Sequence, residues 1–343
     1  MQVKKWFIYW VFNIACWSVC CACLVGCSNA GGGGEEADPR KPDLGTIVGI
    51  NFYEVRRAFD SGLAYDTIGF VQEPEWHVKF THKDSVQIYV PGSDSSFNFA
   101  ITHDHDSFFH FARESWKVVD LHPDSIMLQR LSLRHLTVDK IRSNVYMRFY
   151  SDAYIREKLK TTVSELRKPR RQDTLFVQTQ IAKANRNPGN PDSAFASKHF
   201  ARLVSNSPIL EISRQEVDTV EQMGRSLAYG YLYPEYDIEI NKAYKDFYYT
   251  FSAVVDAQGK LHLGDFFVMP EFKESREKVL TGIVEVYLQH LLDVTPASTL
   301  GIPHASVIYL RVRGRTGTGE QTKNAGIRSL NKQDSRGLQR KNT

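Results

Sequence analysis

Hydrophobic and polar positions alternate in short runs between about residue 45 and residue 150. Alternation with a period of two is typical of strands that bury one face, and turn-forming residues such as Pro123 and Asp124 separate the runs. The predicted strands cover residues 71–80, 86–90, 97–101, 108–111, 116–119, 125–131 and 145–150. Short strands with a turn about every ten residues predict a small antiparallel sheet, a sandwich or a half-barrel.

The hydrophobic period changes after these strands. Apolar residues recur at spacings of four, four and three, which predicts one helix over residues 152–168. The four apolar positions are Ile155, Leu159, Val163 and Leu166. This helix would complete a β-rich domain over residues 45–168. Polar, turn-forming segments follow it, so residues 169–200 are predicted to be a linker region.

The second half of the chain predicts a small α+β domain over residues 201–313. Its expected elements are a helix over 214–229, strands over 247–255 and 261–268, a helix over 274–292 and a strand over 305–312. The predicted fold class is therefore α+β. A mostly antiparallel N-terminal β domain is followed by a small domain in which one long helix packs on an antiparallel sheet.

The N-terminus has the pattern of an export signal. Lys4 and Lys5 precede an apolar run over residues 6–25, which is long enough for a helix of about 30 Å. A run of this kind is either a cleaved signal or an uncleaved membrane anchor. Both interpretations direct the rest of the chain out of the cytoplasm.

The end of this run, Leu24-Val25-Gly26-Cys27, resembles the lipobox of bacterial lipoproteins. The resemblance implies that the signal peptide 1–26 is removed and that Cys27 carries acyl chains such as palmitate, which attach the protein to a membrane. In that family an aspartate after the cysteine favours the inner membrane. Ser28 stands there instead, which implies an outer-membrane lipid anchor with a periplasmic or surface-exposed protein. The Gly-rich and then acidic segment 27–44 is predicted to be a flexible tether.

Positive charge is concentrated at the other end of the chain. The whole chain has 43 Lys and Arg residues against 39 Asp and Glu residues, and residues 314–343 are predicted to be a disordered basic tail. No aromatic residues lie between the charges of this tail to stack on bases. Nucleic acid is therefore not a predicted partner.

All five cysteines lie within the first 27 residues. Their position excludes a disulfide framework, a cysteine-ligated metal site and a cysteine nucleophile in the rest of the chain. His103 and His105 are the candidate metal ligands, because two imidazoles at strand spacing face the same side and could bind zinc together. No feature of the sequence indicates which residue would be the third metal ligand, and the sequence contains no motif for another cofactor.

Short motifs follow one another along residues 231–313. They are Tyr233-Pro234, Gly259-Lys260-Leu261, Pro296-Ala297 and Gly301-Ile302-Pro303. With the predicted strands and helix, they resemble the C-terminal domain of TonB-type energy transducers. The resemblance implies two strands, a helix and a third strand in one antiparallel sheet, with an exposed edge for a partner's strand. The residues expected to bind a partner lie on the last strand and are Ala305, Val307, Tyr309 and Arg311.

These features predict a lipid-anchored protein of the cell envelope, without enzymatic activity, that binds an envelope protein partner or a ligand outside the cytoplasm. The alternative is a metal-dependent hydrolase that uses His103 and His105.

Overall fold

The described part of the protein is mostly β-structure with a few helices, in agreement with the predicted α+β class. The computed structural model describes residues 41–90, 94–135, 137–216 and 228–316, which all belong to the unit Arg40–Thr343. The predicted signal, Cys27 and most of the predicted tether (27–44) and basic tail (314–343) lie outside these ranges. Two of the predicted boundaries are wrong, because Leu44 begins a 3-10 turn that Asp43 caps, and residues 314 and 315 still belong to the last strand. Within the described ranges, no helix is both long enough and apolar enough to cross a membrane.

The strands are β1 (Asn51–Phe59), β2 (His77–His82), β3 (Ser85–Tyr89), β4 (Ser96–Ala100), β5 (Thr102–His103), β6 (Phe108–Phe111), β7 (Glu114–Leu121), β8 (Ser125–Leu131), β9 (Leu133–Arg134), β10 (Thr137–Val138), β11 (Val145–Ser151), β12 (Arg202–Ser205), β13 (Leu210–Arg214), β14 (Glu235–Asn241), β15 (Phe247–Val255), β16 (Leu261–Phe266), β17 (Leu292–Thr295), β18 (Ala297–Thr299), β19 (Ile302–His304) and β20 (Ser306–Arg315). The α-helices are α1 (Val163–Arg167), α2 (Arg171–Arg186), α3 (Tyr229–Leu232), α4 (Lys273–Thr281) and α5 (Gln289–Leu291). Single π-helical segments cover Tyr154–Lys158 and Gly282–Leu288, and 3-10 turns cover Leu44–Ile47, Pro191–Ser193 and Pro270–Phe272.

Nine of these strands form one antiparallel sheet in the order β4-β3-β2-β1-β11-β8-β7-β6-β5. The first and last long strands of the meander, β1 and β11, pair with each other. Its two edge strands, β4 and β5, are separated in sequence by Ile101 alone. The sheet is therefore nearly closed on itself, and large side chains such as Trp116, Phe52 and Phe149 fill its buried side.

The sequence alternation predicts β11 well, because Val145, Met147 and Phe149 are buried and the residues between them are not. It misses β1. A bulge between Glu54 and Arg56 shifts the register of β1 against β11. Both of those charged residues are buried, so this strand shows neither a regular period nor an apolar face.

The single helix predicted over residues 152–168 is wrong. A π-helical segment covers Tyr154–Lys158, Lys160 has a φ of 52°, and α1 then begins after Thr162. The left-handed backbone at Lys160 interrupts the helical path, which no side-chain period reveals.

Half of residues 169–200, which were predicted to be a polar, turn-forming linker region, is helical, because α2 covers Arg171–Arg186. Its buried stripe is narrow and includes a charge. The buried residues are Asp173, Val177, Ile181 and Ala184. In the sequence, a helix with so narrow an apolar face cannot be distinguished from a polar surface segment.

A second sheet has the order β13-β14-β20-β15-β16, and a continuous helical segment from Lys273 to Leu291 packs on one of its faces. The predicted hairpin of β15 and β16, the long helix and the final strand are all confirmed. Two expectations are wrong. The pair β14–β20 is parallel, so the sheet is mixed. The final strand, β20, pairs on both sides and so offers no free edge.

The predicted start of the helix over 214–229 is wrong, because Arg214 is the last residue of β13. Residues 217–227 of that prediction lie outside the described residues.

The helix α2 contacts both sheets. At its start, Asp173 accepts hydrogen bonds from Arg56 of β1 at 2.6 and 2.9 Å. At its end, Asn185 accepts a hydrogen bond from the Ala305 N–H at 2.9 Å and donates one to the Pro303 carbonyl at 3.2 Å. Between these ends its apolar residues pack with Val254 and Phe195. The two sheets are therefore held together through one helix.

We expect Asp173→Leu to lower the free energy of unfolding by about 3 to 5 kcal/mol, because it leaves the Arg56 charge buried without its partner. The double variant Arg56→Met/Asp173→Leu should recover most of this loss. Denaturant unfolding measures both. Glu274→Gln, which breaks the exposed pair Glu274–Lys278, is the control and should leave stability almost unchanged. A double variant as unstable as Asp173→Leu would contradict the role of the pair.

A second prediction concerns His304, which is fully buried. Burial lowers its pKa, although its hydrogen bond to the Ala305 carbonyl acts in the opposite direction. The folded protein therefore holds a neutral imidazole. Below about pH 6.5 the unfolded chain binds a proton that the folded chain does not, so stability falls as the pH falls. His304→Gln should weaken this pH dependence in denaturant unfolding between about pH 7.5 and 5.5. His122→Gln, at an exposed histidine, is the control, and equal slopes in all three proteins would refute the assignment.

Candidate functional site

The face of the five-stranded sheet opposite the long helix is only half covered. Along β20, alternate residues point to this face, beginning with Val307, Tyr309 and Arg311. Val307 packs in the apolar cluster that α2 and Phe195 form. Beyond that cluster the face is open, and it forms a cleft.

The cleft consists of two cavities that meet at Arg311, with volumes of about 380 and 390 Å³. We call the two together the tyrosine cleft. The first is lined by Tyr229, Tyr233, Glu235, Thr250, Tyr309, Leu310 and Arg311. The second is lined by Glu211, Ile212, Ser213, Asp237, Ile238, Glu239, Tyr248, Arg311 and Arg313.

Three tyrosines form one wall of the cleft. The ring centroids of Tyr229 and Tyr233 are 4.9 Å apart, and those of Tyr233 and Tyr309 are 6.1 Å apart. Tyr233 and Tyr309 are 37 % and 38 % exposed, so each still offers ring surface to a ligand. Burial raises the pKa of Tyr309, and Tyr233 adds to the shift. Its phenol therefore stays neutral at physiological pH.

The floor of the cleft carries alternating charges. Nε of Arg311 lies 2.6 Å from Oδ1 of Asp237, and its Nη2 lies 3.6 Å from Oε2 of Glu235. Arg313 lies over the Tyr248 ring, 5.5 Å from the centroid, and has no carboxylate within ion-pair distance among the described residues. A ligand with an acceptor group would therefore find one arginine free and one that is already oriented.

Three of the four predicted partner-binding residues, Val307, Tyr309 and Arg311, share one face of β20, and Ala305 lies directly before that strand. Ala305 and Val307 pack against α2, so neither lines the cleft. Tyr309 and Arg311 line the cleft. The pairing edge expected at this strand is absent, because β20 lies in the middle of the sheet.

Sequence reasoning did not place Tyr229 and Tyr233 in a binding site. The available signal was the density of aromatic residues, since Tyr229, Tyr231 and Tyr233 fall within five positions.

The predicted zinc ligands do not share a strand face. The strand β5 ends at His103, and His105 lies in the turn before β6. The Nε2 atom of His103 lies 3.0 Å from the Asp106 carbonyl, and His105 pairs with Asp104 at 3.1 Å. In the described part of the chain, no three His, Cys, Asp or Glu residues are grouped so that they could hold a metal ion.

No protein-family model matches the chain, and no curated protein matches it. Among solved structures, a weak match is Japanin from Rhipicephalus appendiculatus bound to cholesterol, at 12 % identity and a TM-score of 0.18. The match covers 36 % of this chain and 88 % of that chain. A likeness this weak carries no argument about function.

Proposed function

We propose that this protein is a lipoprotein of the outer membrane, anchored through acyl chains on Cys27, that binds a protein partner outside the cytoplasm through the tyrosine cleft. The anchor is supported by the basic start, the apolar run and the lipobox-like end of the first 27 residues. Binding is supported by the half-covered sheet face. Neither feature requires catalysis.

The composition of the cleft favours a protein partner. Tyrosine and arginine are the residues that most often carry the binding energy of protein interfaces, because each combines a large contact area with directional polar groups. Tyr233, Tyr309 and Arg311 combine these properties within one cleft. The carboxylates beside Arg311 fix its orientation before a partner arrives, which reduces the entropy lost on binding.

The proposed layout has two domains. The β-rich part over residues 45–168 follows the tether, and the α+β part over residues 201–313 presents the cleft. The hairpin, helix and final strand supply the order of elements implied by the resemblance to TonB C-terminal domains. We do not extend the proposal to energy transduction, because a shared fold does not imply a shared activity.

The lipid anchor predicts that metabolic labelling with palmitate marks the unaltered protein and not the Cys27→Ala variant. The variant should also keep its signal segment, because signal cleavage in lipoproteins requires the modified cysteine. Intact mass measurement shows this. Equal labelling of both proteins would refute the anchor without affecting the cleft.

The cleft predicts a specific crosslink. A photo-crosslinking amino acid in place of Tyr309 should give a discrete adduct of higher mass in the cell envelope, and mass spectrometry should identify the added mass as protein. The same amino acid in place of Ile141, which is 87 % exposed, is the control and should not give that adduct. Arg311→Glu should reduce the yield about tenfold or more, because it places a third carboxylate beside Asp237 and Glu235. The same adduct from both positions, or none from Tyr309, would contradict the proposal.

A further inference from the structure

A separate cavity lies where the start of α2 meets β1, β8 and β11, with a volume of about 330 Å³. We call it the arginine cavity, because Arg56, Arg148 and Arg170 all line it. One carboxylate, that of Asp60, is also in its lining, so the lining has a net formal charge of +2.

The first argument for a ligand is that like charges face each other. Arg56 of β1 and Arg148 of β11 are direct partners in the register of the sheet, an arrangement that destabilises a sheet unless the charges are compensated. Asp173 forms its ion pair with Arg56, and its charge also acts on Arg170. Its two carboxylate oxygens accept two hydrogen bonds from Arg56 and one each from the Ala64 and Arg170 backbone N–H groups. This fills the acceptor capacity of a carboxylate.

The second argument is that the other two guanidinium groups have no acceptor of their own. Among the described residues, Arg148 has only the Met127 sulfur, 3.4 Å from its Nη2. Arg170 has no ion pair with any described residue, and Asp60 pairs with none of the three arginines. Partial burial lowers the pKa of Arg170, and the charge of Arg56 lowers it further. The Nε atom of Arg56, a residue 8 % exposed, is buried without a hydrogen-bond partner within the described residues.

Arg148 is half-buried and Arg170 is exposed, so their donors are open to an incoming ligand, whereas the Nε atom of Arg56 is buried and a folded protein rarely leaves such a donor without an acceptor. The chain therefore presents five donors on Arg148 and five on Arg170, next to a third arginine and close to the first turn of α2. An oxyanion between Arg148 and Arg170 could accept a pair of hydrogen bonds from each guanidinium group, and it would screen the Arg56–Arg148 repulsion at the same time.

We propose that the arginine cavity binds a phosphate monoester, with the phosphate held between Arg148 and Arg170. A phosphate monoester carries about −1.5 to −2 charges at pH 7, opposite in sign to Arg148 and Arg170, and the guanidinium fork matches its oxygens in pairs. The apolar part of the ligand would contact Phe59, Met127 and Tyr146. This site is distinct from the tyrosine cleft and goes beyond the proposed function.

The test measures the binding of glycerol 3-phosphate to the full chain. The two readouts are isothermal titration calorimetry and thermal unfolding, both at constant ionic strength. We expect saturable binding and a rise of the unfolding midpoint by about 5 °C at a hundredfold excess over the Kd. Arg148→Gln/Arg170→Gln should bind at least about tenfold more weakly. Arg171→Gln, an exposed arginine on the same helix that does not line the cavity, is the matched control and should bind as the unaltered chain does. No saturable binding, or equal loss in both variants, would overturn the proposal.

A second measurement separates binding from a structural role. Without ligand, Arg148→Gln should unfold at the same temperature as the unaltered chain or at a higher one, because it removes the repulsion with Arg56. A midpoint lowered by several degrees would show that Arg148 stabilises the fold by itself and would overturn the proposal.

The phosphate could belong to a lipid headgroup or to a soluble ester. To distinguish these sources, the affinity for lysophosphatidic acid, kept below its micellar concentration, is compared with the affinity for glycerol 3-phosphate. Tighter binding than that of glycerol 3-phosphate indicates a lipid headgroup, and equal binding indicates a soluble phosphate ester. Both outcomes support the site, provided that the double variant loses each of them.

Discussion

The ion pair between Arg56 and Asp173 fixes the position of α2, and the position of α2 determines the surfaces on either side of it. Both partners are taken almost completely out of water, which is costly unless every donor and acceptor is matched. Burial alone would raise the pKa of Asp173, but its hydrogen bonds from Arg56 and two backbone N–H groups outweigh burial and lower it. If α2 were shifted along β1, the charge of Arg56 would be buried and unpaired. The ion pair therefore fixes the position of α2 relative to β1.

Both candidate binding sites follow from this one placement. The apolar end of α2 covers the part of the second sheet near Val307 and leaves the part near Tyr309 and Arg311 open. At the polar start of α2, the buried carboxylate of Asp173 pairs with Arg56, and Arg148 is left with the Met127 sulfur as its one side-chain acceptor among the described residues. A helix that holds two sheets together thus also defines where ligands can reach each of them.

The sequence predicts those elements whose burial follows a single period, such as β11 and the long helix after Pro270. It fails where the fold buries charge, since the bulged β1 and the start of α2 bury Glu54, Arg56 and Asp173. The candidate site shows the same division. Strand alternation places Tyr309 and Arg311 on one face with Ala305 and Val307, but only the three-dimensional position of α2 decides which pair stays exposed. The expectation that His103 and His105 share a strand face is wrong because β5 ends at His103, which no residue spacing reveals.

The last described strand of the chain occupies the middle of its sheet, and this has a consequence for how the molecule is assembled. Until β20 has been synthesised, β13–β14 and β15–β16 are two separate strand pairs with no common hydrogen-bond ladder. Isolated pairs of strands are marginally stable in water, so nascent chains that lack residues after Ala305 would remain incompletely folded. The second sheet can therefore be completed only after residues 306–315 have been added to the chain, so the strand pairs made earlier depend on a segment that is synthesised after them.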